Sequence, residues 1–257
     1  MQTADNRHKP AVLVTRPAHQ TAAFATRLTA LGVTPVQFPT IAIRLRNRQL
    51  EALESSTLHR SKMCVFTSTN AVEGAKECGV LLSLVHQKVA CIGTATAATL
   101  QQYGIMPDYI PHSSGSSEDL LSHLEQAGIP DGLVTIVSGE GGRSVLSTSL
   151  QQRGHKVHCL AVYQRNLPVV EDSAVNHTVS LLPCIICITS NEGLENLLQL
   201  IPQSAHPDLF DSPLVVNSVR GASLAVERGF RQQIAVARPP GDQGQIEALE
   251  KLLAEIM

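Results

Sequence analysis

The sequence predicts an α/β protein: parallel sheets with helices on both faces, duplicated in tandem. Three observations predict it. The stretch Val134–Tyr163, VTIVSGEGGRSVLSTSLQQRGHKVHCLAVY, reads as a buried strand, a glycine-rich turn, a helix stopped by Gly154 and a second strand. A short continuous apolar run is what a strand covered on both faces requires. The same unit occurs earlier at Val12–Ile41, where Thr15 lies 123 residues before Ser138 and Gly32 lies 122 before Gly154. Two further units repeat in the same order: Thr67 and Ser68 precede Thr189 and Ser190 by 122, and Gly93 precedes Ser218 by 125. Three strand–helix units at nearly one offset define a duplicated module.

The elements follow in order. After a polar, disordered-looking first nine residues, Ala11–Val14 is a strand and Thr15-Arg16-Pro17 its turn. Pro17 suits the first turn of a helix, where its missing N–H is not needed. That helix buries Phe24, Leu28 and Leu31 and stops at Gly32. Phe38–Leu45 is extended, and a helix around Leu50–Leu58 leads to strand Met63–Phe66. Beyond Thr67-Ser68-Thr69, Asn70 and Glu73 have capping-box spacing for the next helix. Val89–Ile92 is a strand, Gly93-Thr94-Ala95-Thr96 its turn, Ala97–Tyr103 a helix stopped by Gly104, and Tyr109–Pro111 a short strand. Serine caps then start a helix with Glu118 and Asp119 in its first turn, where the dipole favours acid, and Leu120, Leu121 and Leu124 as its buried stripe. Ser138, Gly139, Gly141 and Gly142 form the central turn, and Gln164–Asp172 is a return linker. The second module continues with strand Cys184–Ile188, helix Gly193–Ile201, strand Leu214–Val216, helix Ala222–Arg228 and strand Ile234–Ala237. It closes on an amphipathic helix with Ile246, Leu249, Leu252, Leu253 and Ile256 on one face. In such sheets ligands bind beyond the carboxyl ends of the strands, so the polar turns there form two similar half-sites, one per domain.

Composition narrows the function classes. At 257 residues and 27.6 kDa the chain holds two ordinary domains, and 43% hydrophobic residues supply two cores. A formal charge of −2 offers no general attraction to nucleic acid or anionic membrane, and 3% aromatics without Trp give no base-stacking platform. Six cysteines scattered mainly through apolar runs fit buried thiols in a reducing cytosol. The N-terminus lacks the apolar core of a signal peptide, and no apolar run reaches the ~18 residues of a membrane span. A cytoplasmic protein is expected.

The motifs exclude more than they select. Gly139-Glu140-Gly141-Gly142 lacks the further glycine and acidic ribose partner of a nucleotide fingerprint, which leaves a backbone anion cradle or a simple tight turn. Cys184 and Cys187 have metal spacing, but on a strand they point to opposite faces and read as core. The ten histidines form no H-E-x-x-H, and Ser68 and Ser190 have no evident histidine base, so they read as caps or ligand donors. Arg16, Arg143 and Arg220 each follow a strand end, where a guanidinium holds carboxylate or phosphate, or simply starts a solvated helix. Tyr163, one of three tyrosines, closes the central strand either as a buried ring with a surface hydroxyl or as a chemical group.

Taken in order, VLVTRP, FTSTNAV, VACIGTATAATL, VSGEGGR…L…RG, LAVYQR, ITSNEGLENL and NSVRGASLAVERGF resemble the uroporphyrinogen-III synthase family over roughly Ala11–Leu253. The resemblance implies two flavodoxin-like domains: a discontinuous one of residues 1–38 and 168–257, and an inserted one of 42–163, joined by linker strands 38–45 and 159–168. It implies a cofactor-independent lyase, using no metal, that cyclises hydroxymethylbilane with inversion of the last ring and loss of water. The implied substrate-binding residues are Thr15, Arg16, Ser68, Thr69, Asn70, Gly93, Thr94, Thr96, Ser138, Gly139, Arg143, Thr189, Ser190, Asn191, Ser218 and Arg220, with Tyr163 as proton donor. Many members carry Gly-x-Thr-Thr where this chain has Ser218-Val219-Arg220-Gly221. A monomer in transient contact with hydroxymethylbilane synthase is the implied partnership. A non-catalytic two-domain binder of small anions shares the architecture; a phosphosugar enzyme would also need a base or nucleophile that is not evident.

Overall fold

The computed structural model describes residues 9–46, 52–84, 86–111, 116–142 and 144–256. Two compact units divide the chain, Met1–Ala42 with Asn166–Met257, and Ile43–Arg165. The first opens with β1 (Ala11–Val14), α1 (Ala22–Ala30) and β2 (Thr34–Gln37). β3 (Ala42–Leu45) leads into the second, which holds α2 (Ala52–Arg60), β4 (Ser61–Phe66), α3 (Thr69–Glu77), β5 (Lys88–Cys91), α4 (Thr94–Gln102), α5 (Ser117–Ala127), β6 (Leu133–Gly139), α6 (Val145–Gln152) and β7 (Lys156–Asn166). The first unit is completed by α7 (Asp172–Ser180), β8 (Ile185–Ile188), α8 (Asn191–Leu200), α9 (His206–Phe210), β9 (Leu214–Val216), α10 (Val219–Glu227), β10 (Ile234–Val236) and α11 (Asp242–Ile256).

In the first unit the strands lie in the order β10-β9-β8-β1-β2, every neighbouring pair parallel. Counted from the first strand this is 2-1-3-4-5, a doubly wound order. Leu13, Ile186, Ile188 and Leu214 face one layer with Leu194, Leu197 and Ala225. Val12, Val14, Ile185 and Val215 face the other, against Phe24 and Leu28 of α1 and Leu249 and Leu252 of α11. Both faces are dry, which is why these strands read as unbroken apolar runs rather than alternating ones. Cys184 and Cys187 fall in opposite layers, as their odd spacing requires.

The second unit orders its strands β3-β7-β6-β4-β5, with β7, β6, β4 and β5 parallel. Cys64, Phe66, Val137, Leu160 and Val162 pack beneath α3 and α4, while Met63, Val65 and Ile136 meet Leu120 and Leu124 of α5 and Leu146 and Leu150 of α6. The β6–β7 register shifts between Ser138 and Gly139, so that Gly139 stands opposite Tyr163. Gly74 makes a second close approach: a Cβ there would stand 2.5 Å from the Val162 carbonyl oxygen, so glycine lets α3 lie directly on β7.

Several boundaries differ from the sequence reading. Phe38–Leu45 is not one strand, since β2 ends at Gln37 and β3 begins at Ala42. Tyr109–Pro111 contributes only an isolated bridge between Ala90 and Tyr109, because the Asp108 carboxylate accepts the Val89 N–H at 2.8 Å in place of a ladder carbonyl. Gln164–Asp172 is shorter as a linker, with β7 running to Asn166 and the unforeseen α7 starting at Asp172. The helix at Leu50–Leu58 is found as Ala52–Arg60, the residues before it lying outside those described. Gly139 belongs to β6 and not to the turn.

Candidate functional site

The strand ends build the site through their helix starts. Ser68, Ser190 and Ser218 leave their strands in extended backbone, with φ of −171°, −153° and −156°. Their hydroxyl oxygens accept the N–H groups of Ala71, Gly193 and Gly221 at 3.1, 3.0 and 3.1 Å. Each such cap stabilises its helix by about 1 kcal/mol. Accepting from the helix leaves the serine proton available to donate outward. The first helical N–H groups have no partner within the helix and carry the positive end of its dipole, so these turns favour anions. The cap of α3 is therefore Ser68, not the predicted Asn70, which lies inside the helix with Thr69; Glu73 instead accepts the Tyr103 hydroxyl at 2.8 Å. Gly93 occupies the equivalent place before α4 without a side-chain cap, and Thr94 and the buried Thr96 lie in that helix's first turn.

A cavity of about 590 Å³ opens in the second unit at the carboxyl ends of β4 and β6. Thr67 and Ser68 of the β4 end, Ser138 and Gly139 of β6, Ser116 before α5, and Cys159, Ala161 and Tyr163 of β7 line it. Tyr163 is only 4% exposed, and its hydroxyl lies 3.2 Å from Ser68 Oγ. Of the sequence-predicted residues, the structure brings Ser68, Ser138, Gly139 and Tyr163 together here. Sequence reasoning missed Glu140 on the wall, whose carboxylate is held by Arg46 and Gln164. A glycine-flanked acid in a turn gave no reason to seek partners just after β3 and on β7.

The other predicted residues stand elsewhere. Thr15 is buried and its hydroxyl donates to the Cys187 carbonyl at 2.8 Å. Arg16 is spent within its own unit: its guanidinium donates to Asp242 at 2.7 Å and Gln245 at 2.9 Å and lies 3.8 Å above the Phe24 ring. Thr189, Ser190 and Asn191 sit together where β8 meets α8, tied to the β9 end by Asn217, whose amide donates to the Thr189 carbonyl at 3.3 Å. Asn217 was missed, its role being visible only once β8 and β9 are neighbours. Ser218 and Arg220 are exposed at the start of α10. Arg143 lies outside the described residues.

Burial decides what the thiols can do. Desolvation pushes Cys64 and Cys187 up to about 12 and Cys91 and Cys184 up to about 11, so none is a ready thiolate. Among the described residues no three His, Cys, Asp or Glu side chains are grouped to hold a metal ion, and no helix is long and apolar enough to cross a membrane.

Parallel sheets with capped, anion-favouring helix starts beyond their strand ends place the chain in the class of doubly wound α/β proteins that take ligands at those ends. Its relatives narrow the class. The chain belongs to the uroporphyrinogen-III synthase family: the family model described as uroporphyrinogen-III synthase HemD matches residues 22–242. It is 30% identical over 249 residues to the uroporphyrinogen-III synthase of Salmonella typhimurium, covering 93% of this chain and 99% of that one. To the Escherichia coli enzyme of the same name it is 29% identical over 253 residues, with 93% and 99% covered. Its fold is similar to the crystal structure of uroporphyrinogen-III synthetase from Helicobacter pylori, with a TM-score of 0.64 at 16% identity over 95% of this chain and 99% of that one. A mutant uroporphyrinogen III synthase from Thermus thermophilus aligns with a TM-score of 0.59 at 17% identity, covering 95% and 98%.

Proposed function

We propose that this chain cyclises hydroxymethylbilane to uroporphyrinogen III, inverting the last pyrrole ring and releasing water, as a cofactor-independent cytoplasmic lyase that acts as a monomer and meets hydroxymethylbilane synthase transiently. The observation that carries this reading is the family match across residues 22–242, together with a relative 30% identical along nearly its whole length. We read the two units as flavodoxin-like copies of one module, residues 1–38 with 168–257 and 42–163, linked through 38–45 and 159–168. Supporting it, both sheets follow one strand order if β3 is counted as the last strand of its unit, and Ser68 and Ser190 cap equivalent helices.

The chemistry asks for positioning above all. The bilane closes unaided to the uninverted isomer, so one geometry must be enforced faster; orientation alone is able to offset roughly 7–11 kcal/mol of barrier. Eight carboxylates on the substrate meet a slightly acidic chain, and helix starts resolve that conflict. Ser190, Ser218 and the N–H groups behind them in the first unit, and separately the start of α4 at Thr94 in the second, suit carboxylates without a lysine patch. Tyr163, buried in the cavity wall, donates its proton to the departing hydroxyl, which leaves as water. The resulting cation is attacked by the substituted carbon of the last ring to give a spiro intermediate. That carbon's bond to its original methylene bridge then breaks, and the freed methylene cation bonds to the ring's other α-carbon, which sheds its proton. General-acid assistance of this kind adds about 10²–10⁴-fold.

The test generates hydroxymethylbilane in situ with purified hydroxymethylbilane synthase, adds this protein and separates the porphyrin isomers after oxidation. Predominance of isomer III without added metal or nucleotide is expected. Isomer I alone, from protein shown to be folded, overturns the reading in favour of a small-anion binder.

A further inference from the structure

With Tyr163 read as the proton donor, we infer that Ser68 is its positioning residue, acting on the phenol rather than on the substrate. Three features of the second unit converge on that ring. Gly74 brings α3 onto β7 at Val162, one residue before Tyr163. The register shift sets Tyr163 opposite Gly139, where an added Cβ would stand 2.6 Å from Cζ and 3.0 Å from the hydroxyl oxygen. The Glu140 N–H then pins the Tyr163 carbonyl at 2.8 Å. The phenol thus has one seat, and Ser68 Oγ is 3.2 Å from its oxygen.

The hydroxyl of Ser68 is polarised from behind. It accepts the Ala71 N–H at 3.1 Å as the cap of α3, which leaves the serine proton free to point at the Tyr163 oxygen 3.2 Å away. When the phenol O–H bond breaks and its proton completes the departing water, negative charge develops on the Tyr163 oxygen. Ser68 then donates a hydrogen bond to that charge and keeps its own proton. The proton shed when the closing macrocycle regains its pyrrole restores the phenol, so no external acid or base is consumed. Hydrogen bonds to charged groups are the stronger ones, so the serine matters more in the transition state than before it.

Steady-state kinetics on in-situ hydroxymethylbilane test this with Ser68→Ala, Ser68→Thr and Ser68→Asp, each also combined with Tyr163→Phe. Ser68→Ala is expected to lower kcat by roughly tenfold or more with KM within about twofold. Ser68→Thr, which keeps both the cap and the donor, restores most of kcat. Ser68→Asp caps α3 as well as serine does but has no proton to give, and stays impaired in kcat. In the Tyr163→Phe background, Ser68→Ala costs less than about twofold more. Full kcat in Ser68→Asp shows that only the cap matters and overturns the inference. An equal loss from Ser68→Ala with and without the phenol, or a change confined to KM, overturns it too while leaving Tyr163 as the donor. If Tyr163→Phe itself stays within about twofold of the parent, the donor reading has failed first and this role falls with it.

Discussion

Gly139→Ala isolates the seat of the phenol. Gly139 is not among the glycines with positive φ, so alanine meets no backbone penalty there and the whole effect is steric. The new methyl carbon would lie 2.6 Å from Tyr163 Cζ and 2.7 Å from Cε2. Ordinary carbon contacts are about 3.5–4.0 Å, so the ring must retreat by about 1 Å. A shift of that size is enough to break the 3.2 Å contact between the hydroxyl and Ser68. Overpacking of this kind costs about 1–3 kcal/mol of stability, and a 1 Å misplacement of a reacting group costs about 10²-fold in rate. Isomer III formation at saturating substrate gives the rate, and thermal melting gives the stability. Gly154→Ala is the control: its φ of +86° makes alanine strained by about 1 kcal/mol, but nothing lies within 4 Å and the position is remote from the cavity. It should melt earlier with kcat unchanged. Gly139→Ala with kcat within about twofold of the parent would refute the seat.

Other outcomes follow from the same geometry. Arg16→Ala should destabilise the protein by about 2–3 kcal/mol, since a side chain 6% exposed loses an ion pair, an amide partner and an aromatic face. KM should stay within about twofold; a tenfold rise at unchanged melting temperature would return Arg16 to the substrate. Ser190→Ala and Ser218→Ala should each cost about 1 kcal/mol of stability and raise KM, which calorimetry and kinetics separate. Under native conditions a thiol reagent should label Cys159 rapidly and the five buried cysteines only on unfolding. Burial holds Cys64, Cys91, Cys184 and Cys187 protonated, so the folded state keeps protons that the unfolded chain releases. Their contribution to stability is whole below the ordinary thiol value near 9.0 and falls as pH rises from there toward about 11–12. Denaturant midpoints measured from pH 8 to 10.5 should therefore decline.

The parallel α/β architecture was legible because strands such as Ile185–Ile188 and Leu214–Val216 are dry on both faces and advertise it locally. Helices were harder where tertiary burial is thin. α7 has only Val175 and Val179 as partly buried apolar residues one turn apart, too little period to read. The starts of α3, α8 and α10 shifted for one reason: the cap belongs to the residue that leaves the strand extended, so Ser68 outranks Asn70 although both are good capping types. In the site, Tyr163 and Ser68 were found as residues but not as a pair, since 95 positions separate them and only the β4–β6 and β6–β7 pairings bring them together. The partners of Arg16 were hidden for the same reason: nothing near it in sequence points to Asp242 and Gln245, which reach it from α11.

β1 sits between β2 and β8, although β8 is made some 170 residues later. During synthesis the second unit, continuous from Ile43 to Arg165, has all its strands before the first unit has its third. Domains fold as units as the chain emerges, so the later-starting unit matures first. The β1–β2 pair has only α1 packed against it until β8, α8 and α11 are delivered. The half-built first unit is therefore the part of the nascent chain most exposed to misassociation, and α11 completes the layer that β1 began.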